Sequence, residues 1–399
     1  MANHKKRFDT VRASRDGHEF HEAWVARKCL GLLFPKDDFV GLAIEGFGEV
    51  DQDEVGTEAN EIADAVLYFG LRANLEAAHS VVVVQVKYSK AAELLPFRAS
   101  DAKKTVGKFA TTYRTCKRNH GVEVARGKLQ FELVTNRPIL PELIEAVRGL
   151  AAGHVLQGLA EEQATQIRTS CKLTGKDLAE FARQLSFTGL TGNLRENKHR
   201  LAISLADWSP ARDPMATMRL HSIRQLARDK AGLSQQDHNL IRRADVLTAL
   251  DLQDDNDLLP CPESFPPVDE VVERDQLAET LAQIPLLQRP LLVHADGGVG
   301  KTVFMNSIAA KLAPAHEVVL FDCFGMGQYR APGDARHLPQ RGLVHIANDL
   351  ACRGLCDPLL PPSSSNSDDI IRAFRSRLSQ AADTGRRAQA NRQLVLLLD

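Results

Sequence analysis

The sequence has no hydrophobic run long enough to cross a bilayer. Its longest, Val81–Val84 and Leu394–Leu398, fall far short of the roughly 20 residues that a spanning helix needs. No apolar stretch follows the basic start Met1–Arg7, so a secretory leader is not expected either. Cysteine is sparse: seven copies, odd in number and scattered from Cys29 to Cys356, form neither a disulfide framework nor a zinc ribbon. The pair Cys352-x3-Cys356 reads as helical packing, and a reducing cytoplasm is expected. An excess of one charge is missing too. The 50 Lys and Arg against 51 Asp and Glu leave a net charge of −1, which says nothing about nucleic acid by itself. No repeat of solenoid period is present.

What is present is ordinary globular composition, 44% apolar and 25% charged, in 399 residues, enough for two or three domains. Three segments are expected: 1–205 with a core near 16–150, a helical connector and linker over 206–265, and an α/β segment over 266–399. The patterning predicts a helix over 17–33, strands over 41–50, 62–69 and 80–88, and a helix over 102–119. A strand over 129–136 and a helix over 141–152, with Pro141 in its first turn, follow. Residues 161–250 read as mostly helical, and 255–268, rich in Pro and acids, as a linker. Beyond it, strands over 291–295, 317–324 and 394–398 alternate with helices over 303–312, 341–355 and 368–382, the last capped by Ser367.

Residues 295–302 read Ala-Asp-Gly-Gly-Val-Gly-Lys-Thr between an apolar strand and an apolar-periodic helix, the context of a phosphate-binding loop. Gly297, Gly298 and Gly300 let the backbone around Val299 turn its N–H groups inward, and the following helix adds its positive end. Lys301 can reach the β- and γ-phosphates of ATP, and the Thr302 hydroxyl can ligate Mg2+. Ala295 stands where the pattern asks for glycine. The strand 394–398 ends in Asp399, which reads as a matching acidic residue holding Mg2+ through water; any buried parallel strand ending in an acid would look the same. A complete domain of this kind needs further strands and a water-positioning residue, so the chain reads as the amino-terminal part of a longer protein.

Nearer the start, alternation puts Gln85 and Lys87 on one face of their strand. If strands 62–69 and 80–88 pair as a hairpin centred between Asn74 and Leu75, Asp64 lies opposite Gln85, and a slip of one residue would move it to the other face. Glu22 heads an apolar helical stripe with Val25, Ala26, Cys29, Leu32 and Leu33, where a carboxylate needs a partner such as a metal. From Lys87 to Arg118 there are nine bases against Glu93 and Asp101, a stretch suited to a phosphodiester backbone or simply to a solvated helix face. Phe109, Thr111 and Tyr113 read as helix packing. Glu61, in the acidic run 49–61, is a candidate extra ligand or part of an acidic loop.

Two resemblances follow. Helix Glu, strand Asp, then Gln-x-Lys on the next strand resembles the PD-(D/E)XK nuclease superfamily. It is most similar to the Mrr-like subgroup, in which Gln replaces the usual Glu, and to nuclease domains of CBASS-type effectors, with which Leu133–Arg137 is also similar. The likeness covers about 16–148. It implies a mixed sheet flanked by helices, with Mg2+ on Asp64, Gln85 and Glu22, and Lys87 positioning water and stabilising phosphate charge.

Over 269–399, Val272-Glu273-Arg274, the phosphate-binding loop and Phe321–Gly325 resemble the STAND class of signal-transducing NTPases. Similar proteins with amino-terminal nucleases, often called Avs, serve antiphage defence. That resemblance implies an ATP-binding, oligomerising switch over a double-stranded DNA endonuclease, responsive to a phage-derived trigger sensed by a carboxyl-terminal region, with no membrane role. A modification-dependent restriction enzyme with an NTPase motor, and a non-catalytic nucleic-acid-binding switch, stand as alternatives.

Overall fold

The computed structural model describes residues 2–34, 38–55, 57–189, 194–210, 215–232, 238–261, 271–325, 335–360 and 366–399. The chain divides into two compact units. One takes 1–203 and 219–251, and the other takes 204–218 and 252–399. The segment 206–265, expected as a connector, is thus shared between them. Among the described residues no helix is long and apolar enough to cross a membrane.

The first unit is mixed α/β, built on a six-stranded sheet. Its strands are β1 (Phe39–Ile44), β2 (Ala65–Gly70), β3 (Ala78–Lys87), β4 (Leu129–Thr135), β5 (Leu185–Gly189) and β6 (Leu240–Ile241), in the order β5-β4-β3-β2-β1-β6. β1, β2 and β3 form an antiparallel meander, β4 and β5 continue parallel to β3, and β6 closes the far edge against β1. Valine at 81–84 suits a strand flanked on both sides, because its branched side chain fills a pleated surface covered from above and below. Val81, Val83 and Val84 are fully buried.

One face of the sheet is covered by the helix Ala99–His120, whose Phe109, Ala110 and Tyr113 enter the core beside Val83 and Phe131. The rings of Phe109, Phe131 and Phe181 run in series, 5.1 and 5.5 Å apart, which extends the core to the helix Gly175–Gln184. The helix Pro141–Ala152 begins on its proline as expected and ends on Gly153, whose positive φ suits a residue without Cβ.

Several boundaries move. The first helix runs Ala2–Cys29, much longer than expected, and continues as a 3-10 turn through Leu32. β1 stops at Ile44 because Glu45 takes a left-handed φ of 52° and Gly46 follows at 135°. Residues 57–62 are helical, and β2 opens only at Ala65. β5 and β6 interrupt the stretch read as helical. Each is short enough to carry no periodicity of its own, and each exists by adding to an edge already formed.

In the second unit, β7 (Glu317–Phe321) pairs in parallel with β8 (Leu394–Leu398). The helices Pro339–Cys352 and Ser367–Ala388 bury Val344, Leu350, Ile370 and Phe374 together. Asn366, not Ser367, caps the latter, accepting from the Asp369 N–H at 2.8 Å. The expected strand over 291–295 forms no ladder: Leu292 is 87% exposed, and among the described residues nothing pairs with it. An apolar run becomes a strand only where a neighbouring edge accepts its N–H and C=O groups. The start of the expected linker is packed instead. Leu258 is buried and its carbonyl accepts from Asn348 at 2.8 Å, while 262–268 lie outside the described residues.

A buried polar triad ties the β1–β2 corner. Tyr68 donates to Asp51 at 2.9 Å and accepts from the Gly48 N–H at 2.9 Å, and the Leu75 N–H donates to Asp51 at 3.1 Å. Burial pushes the Asp51 carboxyl up, opposed by those two donors. Tyr68→Phe removes a donor and an acceptor at once in a buried site. Urea unfolding is expected to show a loss of about 1–3 kcal/mol; a loss below the error of the titration would mean that water replaces the hydroxyl.

Candidate functional site

The β2–β3 hairpin sets the geometry. Ala65 pairs with Val84, Val66 with Val83 and Leu67 with Val82, the register expected for a turn centred between residues 74 and 75. Asp64, one step before β2, therefore stands across from Gln85. Its own N–H donates to the Val84 carbonyl at 3.0 Å. One carboxylate oxygen, Oδ2, accepts from Gln85 Nε2 at 2.5 Å and from the Val86 N–H at 2.6 Å. Lys87 lies two residues on, on the Gln85 side of the strand. Its ammonium donates to the Asp101 carbonyl at 2.8 Å, at the start of the long helix.

Asp64, Gln85 and Lys87 are thus brought together at the carboxyl end of β3, and Glu22 is not among them. Its carboxylate pairs with Arg228 at 2.8 Å and Arg224 at 3.4 Å, both on the helix Met215–Lys230. The expectation that Glu22 completes the pocket is corrected. A carboxylate on that face of the helix does need a partner, and two guanidinium groups supply it. The preceding residue takes the place instead. His21 Nε2 lies 3.1 Å from the Asp64 carbonyl, and its Nδ1 is 3.4 Å from Glu45. Packing of Phe20 against Tyr88, ring centroids 5.0 Å apart, holds the helix at this end of β3. Nothing in the spacing of the first helix distinguished His21; the left-handed corner that aims Glu45 is visible only in three dimensions. Glu61 is exposed and faces Lys108 at 3.4 Å, outside the cluster.

The electrostatics are those of a half-buried charged site. Burial pushes the Asp64 carboxyl up by penalising its charged form, and Glu45 adds to the rise; the His21 charge and the Val86 and Gln85 donors offset this only in part. Burial pushes Lys87 down, with Asp101 and Asp64 opposing and Lys104 adding to the fall. For His21 burial works downward, yet Glu45 and Asp64 outweigh it and hold the imidazole above its ordinary value.

These residues fit a hard divalent cation in one form. Among the described residues no three His, Cys, Asp or Glu side chains converge as an all-protein cage would require. Mg2+ does not need one: it binds through one or two carboxylates and keeps water and substrate phosphate oxygens for the rest. Asp64, with one carboxylate oxygen outside the bonds to Gln85 and Val86, and the Gln85 amide oxygen after rotation of that amide are such a donor set.

In the second unit, the loop before the helix Lys301–Leu312 turns on Gly298 and Gly300, at φ 78° and 89°. The N–H groups of Gly297, Gly298, Val299 and Gly300 donate to no backbone carbonyl among the described residues. Lys301 folds back on the loop, donating to the Ala295 and Asp296 carbonyls at 3.0 and 2.8 Å. The Thr302 hydroxyl donates to Asp399 at 2.7 Å, so those two expected Mg2+ partners are adjacent. Beside the loop is a cavity of about 290 Å3 lined by Arg274, His294, Val299, Lys301 and Phe304. Arg274 reaches the Val299 carbonyl at 3.0 Å. Free N–H groups, a lysine and a hydroxyl–carboxylate pair fit an anionic phosphate chain with its metal.

No protein-family profile matches the chain, and no curated protein matches it. Among solved structures it is similar to the Cap4 SAVED/CARF-domain containing receptor of Acinetobacter baumannii, at 13% identity and a TM-score of 0.36, over 82% of this chain and 67% of that one. The Moraxella osloensis receptor of the same description matches at 15% identity and 0.33, over 82% and 67%. The Acinetobacter baumannii receptor with the cyclic trinucleotide 3'3'3'-cAAA matches at 12% identity and 0.35, over 96% and 90%.

The raised pKa of Asp64 has a thermodynamic consequence. The folded chain holds that proton more tightly than the unfolded chain. The contribution of Asp64 to stability is therefore full below the unfolded value of about 3.9 and falls as pH rises through the folded one. Asp64→Asn, which mimics the protonated form, is expected to raise Tm near neutral pH by roughly 2–4 °C, the scale of about 1 kcal/mol in a unit of this size. The gain should shrink in acid. A variant that melts earlier at neutral pH and equally at low pH would show that the carboxylate is stabilised where it sits.

Proposed function

We propose that this chain is a nucleotide-regulated, metal-dependent DNA endonuclease of antiphage defence, with the nuclease in the first unit and an ATP-binding STAND module in the second. The observation that carries this reading is the convergence of Asp64, Gln85 and Lys87 at the end of β3. Burial disfavours the charged form of both the carboxylate and the ammonium there, which suits groups poised to take a metal ion and a phosphate.

On this reading the first unit is a PD-(D/E)XK fold. Asp64 and Gln85 hold Mg2+, and Glu22 is replaced in the pocket by His21 and Glu45. Bound Mg2+ would supply Lewis acidity and a water of lowered pKa. Lys87, steadied by the Asp101 carbonyl, orients the attacking water and balances charge growing on the scissile phosphate. His21 fixes the corner from which Asp64 projects.

In the second unit Lys301 exchanges the Ala295 and Asp296 carbonyls for phosphate oxygens, while Thr302 and Asp399 hold the nucleotide's Mg2+. Binding of ATP together with a phage-derived trigger favours a homo-oligomer, which brings nuclease units together on double-stranded DNA. The free N–H groups of the loop and the Thr302–Asp399 pair support this half of the reading.

The test uses full-length protein given plasmid, Mg2+, ATP and extract of phage-infected cells. Lys87→Ala and Asp64→Asn are each expected to lower cutting by roughly 100-fold or more while a fluorescent ATP analogue still binds. Lys301→Ala is expected to lose the analogue and, with it, activation. Cutting that survives Lys87→Ala would remove the nuclease assignment.

A further inference from the structure

The bases between Lys87 and Arg118 are not equivalent. Lys108 faces Glu61 at 3.4 Å, Lys117 pairs with Asp177 at 2.5 Å, and Arg114 donates to the Cys171 carbonyl at 2.9 Å. Those charges serve the fold. Lys90, Lys103 and Lys104 are exposed, and their side chains make no ion pair or hydrogen bond among the described residues. They lie at the site end of the segment: Lys103 and Lys104 sit in the first turns of the helix whose Asp101 carbonyl accepts from the Lys87 ammonium, and Lys90 comes three residues after Lys87.

Between them the chain from 88 to 98 makes a corner that is bare yet rigidly held. Ser89 and Asn136 exchange two hydrogen bonds, of 2.9 and 3.0 Å. The Arg137 guanidinium donates to the Leu95 and Pro96 carbonyls at 3.0 and 2.8 Å, pairs with Asp101 at 3.1 Å and lies over the Phe97 ring. Phe97 bonds to Pro138 and Leu140 through its backbone. On this pinned frame Leu94 is 89% exposed and Leu95 59%. Two leucines held out to water on a hydrogen-bonded frame, with exposed lysines on the segments to either side and Glu93 the one acid of residues 88–98, suit an apolar contact with a polyanion. A second copy of the same corner would bring like charges together.

We infer that double-stranded DNA docks on this corner, with Lys90, Lys103 and Lys104 on its phosphates and the Leu94–Leu95 tip wedged against a base step beside the Asp64–Lys87 pocket. The surface deepens the nuclease reading by naming how the substrate is held. Leucine wedges unstack a base step and bend the duplex, and each phosphate contact releases counterions.

The test measures binding of a fluorescent duplex to the full chain without divalent metal, across a range of KCl. Lys103→Gln/Lys104→Gln is expected to flatten the slope of log K against log salt by roughly 1.8, at about 0.9 per phosphate contact. Lys108→Gln/Lys117→Gln is expected to leave it unchanged. Leu94→Ser/Leu95→Ser should keep the slope but weaken binding roughly tenfold, and should abolish the fluorescence rise of a 2-aminopurine placed at the unstacked step. Equal slopes for the two lysine pairs overturn the surface. So does a leucine variant that binds normally, or one that only turns a dimer into a monomer in sedimentation. Because no cutting is read, this surface can fail while Asp64→Asn still abolishes cleavage, and it can stand if cleavage is never found.

Discussion

The pairing register of β2 with β3 is the constraint on which the first unit's chemistry depends. Ala65 opposite Val84 puts Asp64 opposite Gln85, and period-two alternation then places Lys87 on the same side. A slip of one residue would reverse the face of every side chain on the strand, carrying the carboxylate away from Gln85 and Lys87. The hydrophobic interior and the polar end are therefore specified by one choice. Val81 and Val83, on the Gln85 face, pack against Phe109 and Phe131, so the energy that fixes the register is apolar while what it positions is polar.

Three buried or half-buried acids in the first unit show how differently a carboxylate can be accommodated. Asp51 is met by a phenol and a backbone N–H and serves as a structural tie. Glu22 is met by two arginines, so its charge is neutralised. Asp64 receives an amide and a backbone N–H, both neutral, and burial raises its pKa against the opposing charge of His21. Burial alone does not mark a ligand. What sets Asp64 apart from Asp51, whose donors are also uncharged, is that both of its donors share one oxygen and that Lys87 lies on the same side of the strand as Gln85.

Much of this was legible in the residues. The valine run, the hairpin centre, Gln85-x-Lys87, the helix on Pro141 and the glycine loop before Lys301 are local patterns with local physical causes, and each was found where expected. What could not be read depends on partners far along the chain. Glu22 meets residues about two hundred positions away, β5 and β6 are strands only because β4 and β1 offer them edges, and 291–295 is apolar yet meets no edge among the described residues. His21 was passed over for a related reason: its role comes from a left-handed residue at the end of another strand.

The return of the chain at 219–251 matters for anyone who would isolate the first unit. β6 covers the outer edge of β1, and Asn239 ties that edge by bonding to the Ile44 and Phe47 carbonyls. A fragment cut near residue 205 would bare the β1 backbone as a sticky seam and deprive Glu22 of both guanidinium groups. Such a piece invites self-association through strand addition, whereas one carried on through Asp251 keeps its seam closed.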